Sequence, residues 1–220
     1  MAGARYDGLA TWYVGFRPSL PADELDAPRR LLGRGPGRCL DIGCGTGVAT
    51  AALADLGWSP VGVDVSDDLL DVARGRGLDV QRASADALPF PEASFDAAVS
   101  VWTHTDVDDF ERTLREVARV LRPGAPFVYL GAHPCFVRPH SASVGAHGVP
   151  TLHPGYRPAR RYVEAPGVAN PDGLRARVGA VHLPLGRLLQ TFPDAGLAID
   201  GFEELGHADY PYVVAVRSRA

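Results

Sequence analysis

The sequence has little of what builds disulfide frameworks, membrane spans or nucleic-acid surfaces. Only three of its 220 residues are cysteine, an odd number without the Cys-x-x-Cys spacing of a zinc ribbon. No segment approaches the ~18 uninterrupted apolar residues of a membrane helix. With 22 basic and 26 acidic residues the net charge is −4, which offers no general attraction to phosphate backbones. We therefore expect neither a membrane nor a nucleic-acid partner.

The remaining composition is that of one folded domain. Hydrophobic residues make up 46% of the chain, enough for one substantial core, and no linker divides the 220 residues. The first residues lack the apolar stretch of a signal peptide, so a cytoplasmic location is expected. The abundance of Gly and Pro with a single Met is typical of a GC-rich bacterial source.

Apolar periodicity alternates between strand and helix along most of the chain. Predicted strands cover residues 38–42, 60–65, 78–83, 95–101, 126–130, 197–205 and 212–217. Helical patterns cover residues 22–32, 47–56, 106–121 and 185–192, with a further helix starting after Ser66. Such alternation predicts a doubly wound α/β fold with a mostly parallel sheet, closed by the last two strands as an antiparallel hairpin.

The most informative motif is the run LDIGCGTG, which begins at Leu40 and joins the first strand to a helix. Alternating glycines at Gly43, Gly45 and Gly47 let a ligand approach the backbone closely. The spacing is not the G-x-G-x-x-G of dinucleotide folds. Asp41 precedes the loop, where its charge would repel a pyrophosphate and attract an ammonium group.

This motif resembles the first motif of class I S-adenosylmethionine-dependent methyltransferases, in their small-molecule branch. VGVDVS around Asp64, ASADALPFPEASFD around Asp86 and the run 114–130 resemble later motifs of that family in the expected order. The resemblance covers roughly residues 37–130. It implies a seven-stranded Rossmann-like sheet with an antiparallel last strand, S-adenosylmethionine as cofactor, and an enzyme.

The resemblance also implies roles for individual residues. Asp64 would accept hydrogen bonds from the ribose hydroxyls and Asp86 would meet the adenine amine. The full set of expected cofactor contacts is Asp41, Gly43, Cys44, Gly45, Gly47, Asp64, Val65, Ala85, Asp86, Ala87, Trp102 and Tyr13. Taken singly, Asp64 could instead cap a helix, Asp86 could hold a turn, and Cys44 could be only a small loop residue.

The family layout divides the chain into four parts. These are an aromatic and helical cap (1–36), a cofactor-binding core (37–130), a lid or acceptor-binding insertion (131–182), and a carboxyl-terminal helix and hairpin (183–220). So long an irregular insertion in a compact domain is usually a lid or a binding element.

His104, just after the fourth strand, is the first candidate for a catalytic residue. Histidine titrates in the range that suits a general base, although His104 could equally order its loop or cover the cofactor. Further candidates in the insertion are His133, His153 and Tyr156. Histidines at 133, 140, 147 and 153 match no compact zinc pattern, so no metal is predicted.

The predicted activity is methyl transfer to a small-molecule acceptor, by O- or N-methylation in a biosynthetic tailoring step. Arg157, Arg160 and Arg161 would pair with an anionic group on the acceptor, although each could equally be solvated. Three alternatives stay open: an RNA or protein methyltransferase, a cyclase or pericyclase that keeps the cofactor without transferring methyl, and a non-catalytic cofactor-binding module.

Overall fold

The computed structural model describes residues 4–137, 140–142, 150–163, 173–206 and 209–220. The strands in these ranges are β1 (Arg38–Ile42), β2 (Ser59–Asp64), β3 (Val80–Arg82), β4 (Ala97–Val101), β5 (Pro126–Ala132), β6 (Ser141–Ala142), β7 (Thr151–Leu152), β8 (Arg160–Tyr162), β9 (Ala180–His182), β10 (Ala198–Leu205) and β11 (Val213–Arg219). Seven of them form one sheet in the order β10-β11-β5-β4-β1-β2-β3.

Strand directions in this sheet determine where a ligand can bind. Strands β1 to β5 pair in parallel with one another, whereas β11 is antiparallel to both β5 and β10. This confirms the predicted seven-stranded, mostly parallel sheet with an antiparallel last strand. The strand order reverses between β1 and β4, and open α/β sheets bind ligands beyond the carboxyl ends of the strands at such a point.

The helices in the described ranges are α1 (Ala10–Phe16), α2 (Ala22–Leu31), α3 (Val48–Asp55), α4 (Asp67–Gly75), α5 (Phe110–Val120), α6 (Leu174–Val178) and α7 (Leu185–Asp194). None of them combines the length and apolar character needed to span a bilayer. Helix α5 starts later than the predicted residue 106 because the Asp109 side chain accepts the Arg112 amide at 2.9 Å and caps the helix there.

Helix α1 was not predicted from the sequence. It buries no residue and has no side-chain cap, so local propensity does little to form it. Its rings are paired instead: Trp12 stacks on Phe16 at 4.8 Å between centroids, and Tyr13 meets Tyr6 edge-on at 5.5 Å. Ring pairs within and just before the helix, together with its proximity to α4, therefore stabilise it.

The core lies on both faces of the sheet. On one face α5 and α7 bury side chains such as Leu114 and Phe192 against Tyr129. On the other face α2 and α3 bury Ala27 and Leu53 among strand residues. Each fully buried Leu or Phe contributes roughly 1.5–3 kcal/mol, so the two layers hold the carboxyl edge of the sheet in place.

The described parts of residues 131–182 are more regular than the sequence predicted. Strands β6 and β7 form one small antiparallel sheet, and β8 and β9 form another. The second sheet is attached to the core because the Val181 amide donates to the Thr105 carbonyl oxygen at 2.7 Å. This attachment brings β9 beside the loop that follows β4.

Candidate functional site

The glycine loop follows β1 and adopts backbone angles that favour glycine. Gly43, Gly45 and Gly47 have φ angles of 71°, 52° and 81°, which L side chains rarely adopt. A Cβ on Gly43 would lie 2.4 Å from Thr103 Oγ1. The loop amides of Gly43 and Cys44 both donate to the Val63 carbonyl oxygen, so β2 fixes the bend.

Asp41 lies under this loop with half of its carboxylate unsatisfied. Its Oδ2 accepts a hydrogen bond from Thr50 Oγ1 at 2.6 Å, whereas its buried Oδ1 has no partner among the described residues. Burial, reinforced by the nearby charge of Asp64, raises the pKa of Asp41 to about 6. A buried acceptor without a donor is costly unless a ligand supplies one.

Asp64 ends β2, and its carboxylate is held by backbone amides. Oδ2 accepts from Gly45 N and Oδ1 from Ser66 N, each at 2.9 Å. Burial raises the pKa of Asp64. Each carboxylate oxygen has a second lone pair, so this arrangement orients the group and leaves acceptor capacity for a diol. The following Val65 is exposed.

Asp86 lies after β3 in a tight turn. Its Oδ1 accepts from Ser84 Oγ at 2.5 Å, and its backbone carbonyl oxygen accepts from Arg112 Nε at 3.0 Å. The neighbouring Ala85 is buried and Ala87 is exposed. Asp86 is not among the residues that line the cavity at the glycine loop.

A cavity of about 60 Å³ opens at the glycine loop, which we call the loop cavity. It is lined by Tyr13, Arg17, Ser19, Leu20, Asp41, Gly43, Cys44, Gly45, Thr46, Val48, Ala49, Val101 and Trp102. The structure therefore brings the predicted residues Asp41, Cys44 and Tyr13 together here with Trp102. Gly47, Asp64, Val65 and the residues at 85–87 do not line it.

Trp102 forms a wall of this cavity and is held on both sides. It has a φ angle of 63°, which is rare for a bulky residue. Its Nε1 donates to Glu24 Oε2 at 2.6 Å, and the Arg17 guanidinium lies 4.6 Å from the ring centroid. Arg17 in turn pairs with Glu24 at 2.7 Å, so α2 fixes the indole in a strained backbone conformation.

The amino-terminal segment, residues 4–17, lies over the carboxyl edge of the sheet. Asp7 Oδ1 accepts from Ser66 Oγ at 3.0 Å, and Gly8 N donates to Asp68 Oδ2 at 2.5 Å. Arg5 donates to the Asp106 carbonyl oxygen at 2.5 Å. Two contacts with the start of α4 and one with the loop after β4 thus tie this segment over the site.

A second cavity of about 60 Å³, which we call the histidine cavity, lies beyond Trp102. It is lined by Trp102, His104, Thr105, Ala132, Pro134, Val137, Tyr162, Arg175, Val181, His182 and Leu183. Trp102 lines both cavities and separates them. His104 is the only one of the four predicted catalytic residues that lines this cavity.

His104 is buried, and its Nδ1 lies 2.5 Å from the hydroxyl of Tyr129. Burial, together with the charge of Arg175 and the proximity of His182, lowers the pKa of His104 to about 3. Burial also raises the pKa of Tyr129 well above its ordinary range. Both side chains are therefore neutral near pH 7.

The other predicted catalytic residues have local partners outside the cavities. His133 accepts the Cys135 amide at Nδ1 and donates Nε2–H to Glu204 at 2.8 Å. The Tyr156 hydroxyl accepts the Leu185 amide at 2.9 Å. His153 donates its amide to the His140 carbonyl oxygen. These contacts order the insertion.

The three predicted anion-binding arginines lie at the surface. Arg157, Arg160 and Arg161 are exposed, and Arg161 donates to the Val178 carbonyl oxygen at 2.6 Å. None of the three lines either cavity. The structure does not bring them to the site.

Sequence reasoning missed Arg175 in the histidine cavity, and it noted His182 only as one of the histidines of the insertion without choosing it as a catalytic candidate. Arg175 pairs with Asp106 at 2.6 Å, and both side chains are largely buried. His182 pairs with Arg160 only through the β8–β9 ladder. No local sequence signal marks either residue, because tertiary pairing alone brings them to the loop after β4.

No metal-binding group is present in the described ranges, where no three His, Cys, Asp or Glu side chains cluster suitably. His147 lies outside the described residues. Among the described histidines, His133 hydrogen-bonds Glu204 and His140 hydrogen-bonds the Cys135 carbonyl oxygen, each through Nε2.

Comparisons with known proteins agree with this geometry. A family model described as a methyltransferase domain matches residues 40–129. The demethylmenaquinone methyltransferase of Symbiobacterium thermophilum is 37% identical over 110 residues, 45% of this chain and 44% of that protein. The fatty-acid O-methyltransferase of Mycolicibacterium smegmatis is 38% identical over 104 residues, 44% of this chain and 38% of that protein. The match thus spans less than half the length of these curated relatives.

Among solved structures, an S-adenosylmethionine-dependent methyltransferase from Mesorhizobium loti superimposes with a TM-score of 0.70 at 27% identity, covering 97% of this chain and 99% of that one. The fold similarity therefore extends well beyond the matched domain.

Proposed function

This chain carries a class I S-adenosylmethionine-dependent methyltransferase domain, whose cofactor is S-adenosylmethionine, and we propose that the protein transfers the cofactor's methyl group to a small-molecule acceptor. The loop cavity would hold the cofactor, and the histidine cavity would hold the acceptor. The observation that carries this proposal is that the two cavities share Trp102 as a common wall. Because the cavities adjoin at this residue, the methyl group and the acceptor would meet beside the indole, where reacting atoms can approach to about 3–3.5 Å.

The residues of the loop cavity fit the cofactor chemically. The unpartnered Oδ1 of Asp41 would accept from the ammonium of the amino-acid moiety. The glycine loop removes the side chains that would block the approach, and Tyr13 would close the site from the amino-terminal segment. When bound, the cofactor supplies a methyl group on a positively charged sulfur, and aligning the acceptor with it is the main catalytic task.

Residues outside the loop cavity would contact the nucleoside. Asp64 would accept from the ribose hydroxyls with its remaining lone pairs, and its orientation by Gly45 and Ser66 supports this role. Asp86 would meet the adenine amine, with Val65, Ala85 and Ala87 beside the ring.

The acceptor is proposed to be small and without a strong anionic group. The one arginine that lines the histidine cavity, Arg175, is already neutralised by Asp106, and Arg157, Arg160 and Arg161 are exposed. The name of a Penicillium expansum relative, an O-methyltransferase, supports oxygen as the methylated atom. A cavity enclosed by the insertion is also poorly shaped for an RNA strand.

Binding of S-adenosylhomocysteine tests the cofactor site by titration calorimetry. Asp41→Asn keeps the shape and the Thr50 contact but removes the charge, so affinity should fall about 10- to 100-fold, as expected for a hydrogen bond to a charged group. Asp55→Asn, at an exposed end of α3, is the matched control and should bind as the wild type does. No binding by the wild type would overturn the proposal.

Methyl transfer is tested by the release of S-adenosylhomocysteine from S-adenosylmethionine in the presence of phenols, carboxylic acids and amines. A methylated product in equal amount supports the proposed function. Consumption of an acceptor without release of S-adenosylhomocysteine would instead support a cyclase-type activity. Affinity without turnover on any acceptor would support a binding module.

A further inference from the structure

The histidine cavity contains two histidines whose protonation can be assigned from their hydrogen bonds. His104 and His182 are 2% and 3% exposed, and both line the cavity. His182 is close enough to His104 to help lower its pKa. In a neutral imidazole one nitrogen is a donor and the other an acceptor. The hydrogen-bond partner of one ring nitrogen therefore determines whether the other nitrogen donates or accepts.

His104 offers a donor to the cavity. The hydroxyl of Tyr129 is fully buried, and its partner among the described residues is His104 Nδ1. If Nδ1 carried the proton, the hydroxyl hydrogen of Tyr129 would have no acceptor, which is costly in a buried site. The hydroxyl therefore donates to Nδ1, and the proton of His104 is on Nε2. A Cβ on Gly131 would lie 2.1 Å from the Tyr129 oxygen, so this pair depends on a glycine.

His182 offers the opposite group, an acceptor. Its Nε2 lies 2.7 Å from the Tyr156 carbonyl oxygen. A carbonyl oxygen only accepts, so Nε2 carries the proton and Nδ1 has the lone pair. No described residue donates to Nδ1. The backbone contact thus fixes the tautomer, because the hydrogen bond made by one ring nitrogen of a histidine determines the state of the other.

The charges around His182 favour its neutral form. His140 and Tyr156 pack on its ring at 5.2 and 5.7 Å between centroids, and Arg160 is its partner on β8. Burial, together with His140 and Arg160, lowers the pKa of His182. His140 also donates Nε2–H to a backbone carbonyl oxygen, that of Cys135, at 3.0 Å, but it does not line the cavity.

We infer that the acceptor bears a neutral hydroxyl group of the phenol or enol class, that His104 Nε2–H donates to its oxygen, and that His182 Nδ1 accepts its proton. This inference rests on the proposed function and identifies the acceptor class and the proton-accepting residue. A hydroxyl matches the site because it is both donor and acceptor. A carboxylate would face the lone pair of His182, and an ammonium would face the N–H of His104.

The transfer balances with these residues. The acceptor oxygen forms the new C–O bond to the methyl carbon, the carbon–sulfur bond breaks, and the hydroxyl proton moves to His182 Nδ1. S-adenosylhomocysteine leaves uncharged as the imidazole becomes a cation, so the net charge of the site does not change. The proton then passes to solvent when the product leaves.

Nuclear magnetic resonance of histidine ring nitrogens tests the assignment without turnover. At pH 7 we expect His182 and His104 both to carry the proton on Nε2 in the protein labelled with nitrogen-15. Adding phenol should shift the signal of His182 Nδ1, whereas anisole, which lacks the hydroxyl, should not. A protonated Nδ1 on His182, or equal responses to phenol and anisole, would overturn the inference.

Variants separate a chemical role from a structural one. His182→Gln keeps a donor for the Tyr156 carbonyl oxygen but has no basic nitrogen, so methyl transfer to phenol should fall at least about 100-fold in kcat. The low-pH decline of the wild-type rate should vanish in this variant. Asp55→Asn, at an exposed end of α3 and outside both cavities, is the control and should stay within about twofold.

The two proposals fail in different ways. If S-adenosylhomocysteine binds but His182→Gln transfers methyl at the wild-type rate, the inference about His182 is wrong and the proposed function stands. If S-adenosylhomocysteine does not bind the wild type, the proposed function itself is wrong. Thermal unfolding of His182→Gln, with and without S-adenosylhomocysteine, checks that the variant is folded.

Discussion

At the scale of single residues, the buried carboxylate of Asp41 would favour cofactor binding, but its ionised form lowers the free energy of unfolding of the unliganded protein. Its pKa rises from an ordinary 3.8 to about 6 because the folded protein buries the carboxylate. The folded state therefore prefers the protonated form. Its stabilising contribution is full below pH 3.8 and is lost as the pH rises through about 6.

Asp41→Asn should therefore stabilise the unliganded protein at neutral pH. Above pH 7 the ionised Asp41 costs about 3 kcal/mol relative to a neutral group, and the variant should recover part of this in the free energy of unfolding by urea. At pH 4 the difference should nearly vanish. A variant no more stable than the wild type at pH 8 would contradict this; Asp55→Asn should follow the wild-type pH dependence.

The glycine loop gives a second prediction at this scale. Gly43→Ala would place a Cβ 2.4 Å from Thr103 Oγ1 at a φ angle of 71°, so the free energy of unfolding should fall by about 2 kcal/mol or more. Gly75→Ala is the matched control, because nothing lies within 4 Å of its added Cβ and its φ is not positive. That change should be neutral or slightly stabilising in urea unfolding.

Some residues of the site were predictable from the sequence and others were not. Asp41 and Gly43 stand in one contiguous motif, so their joint position follows from local chain geometry. Arg175 reaches the histidine cavity through α6 and its ion pair with Asp106, and His182 reaches it through the β8–β9 pairing and the contact of Val181 with Thr105. Pairing at long sequence separation leaves no mark on a single sequence. The proposed roles of His133, His153 and Tyr156 stay predictions, although their described contacts are structural.

At the scale of elements, the amino-terminal segment is tied to the site by few contacts. Asp7→Ala removes the hydrogen bond to Ser66, so helix α1 should open more often. Hydrogen exchange of the amides of Tyr13 and Arg17, which donate to Leu9 and Tyr13, should become severalfold faster. S-adenosylhomocysteine should slow it again.

The control for this change is Asp26→Ala in α2. The partner of Asp26 among the described residues is the exposed Arg29, which also lies in α2. In the Asp26→Ala variant, the hydrogen exchange rates of the α1 amides should match those of the wild type. Equal rates in Asp7→Ala and the wild type would show that the Ser66 contact does not hold the segment.

Helices and strands were predicted correctly where the sequence has an amphipathic pattern of apolar residues. The prediction failed where side-chain contacts determine whether a helix forms or where it begins. The strands and helices of residues 38–130 follow their apolar periodicity. Helix α1 could not be predicted, because it buries no residue and depends on ring pairs such as Trp12 with Phe16. The late start of α5 at Phe110 depends on a cap whose geometry periodicity does not report.

At the scale of the whole molecule, we expect the site at the edge of the sheet to bind a nucleoside with an ammonium group in preference to one with a pyrophosphate. The switch point between β1 and β4 is shared with dinucleotide-binding folds, but Asp41 lies buried beneath the loop with an unpartnered oxygen. S-adenosylhomocysteine at 100 times its Kd should stabilise the protein by about 2.7 kcal/mol, seen as a higher Tm. NAD at the same concentration should leave Tm unchanged, because its pyrophosphate would meet the carboxylate. Equal stabilisation by NAD would contradict the site described here.

The overall architecture was predictable because every crossover connection in a parallel sheet has one favoured hand. The alternation of strands and helices predicted the parallel sheet, and the resemblance implied the antiparallel last strand, but the strand order was not predicted from the sequence. The position of the histidine cavity was not predicted either, since it depends on how the insertion folds against the loop after β4.

The indole shared by both cavities has a practical consequence. A tryptophan's emission responds to the polarity and charge beside it, and Trp102 has a guanidinium on its face and a carboxylate at its nitrogen. Binding of the cofactor or of the acceptor would change those surroundings, so the fluorescence of Trp102 should report the binding of both. With Trp12 and Trp58 replaced by phenylalanine, fluorescence could screen compound libraries for acceptors with no radiolabel, even while the methylated product is still unidentified.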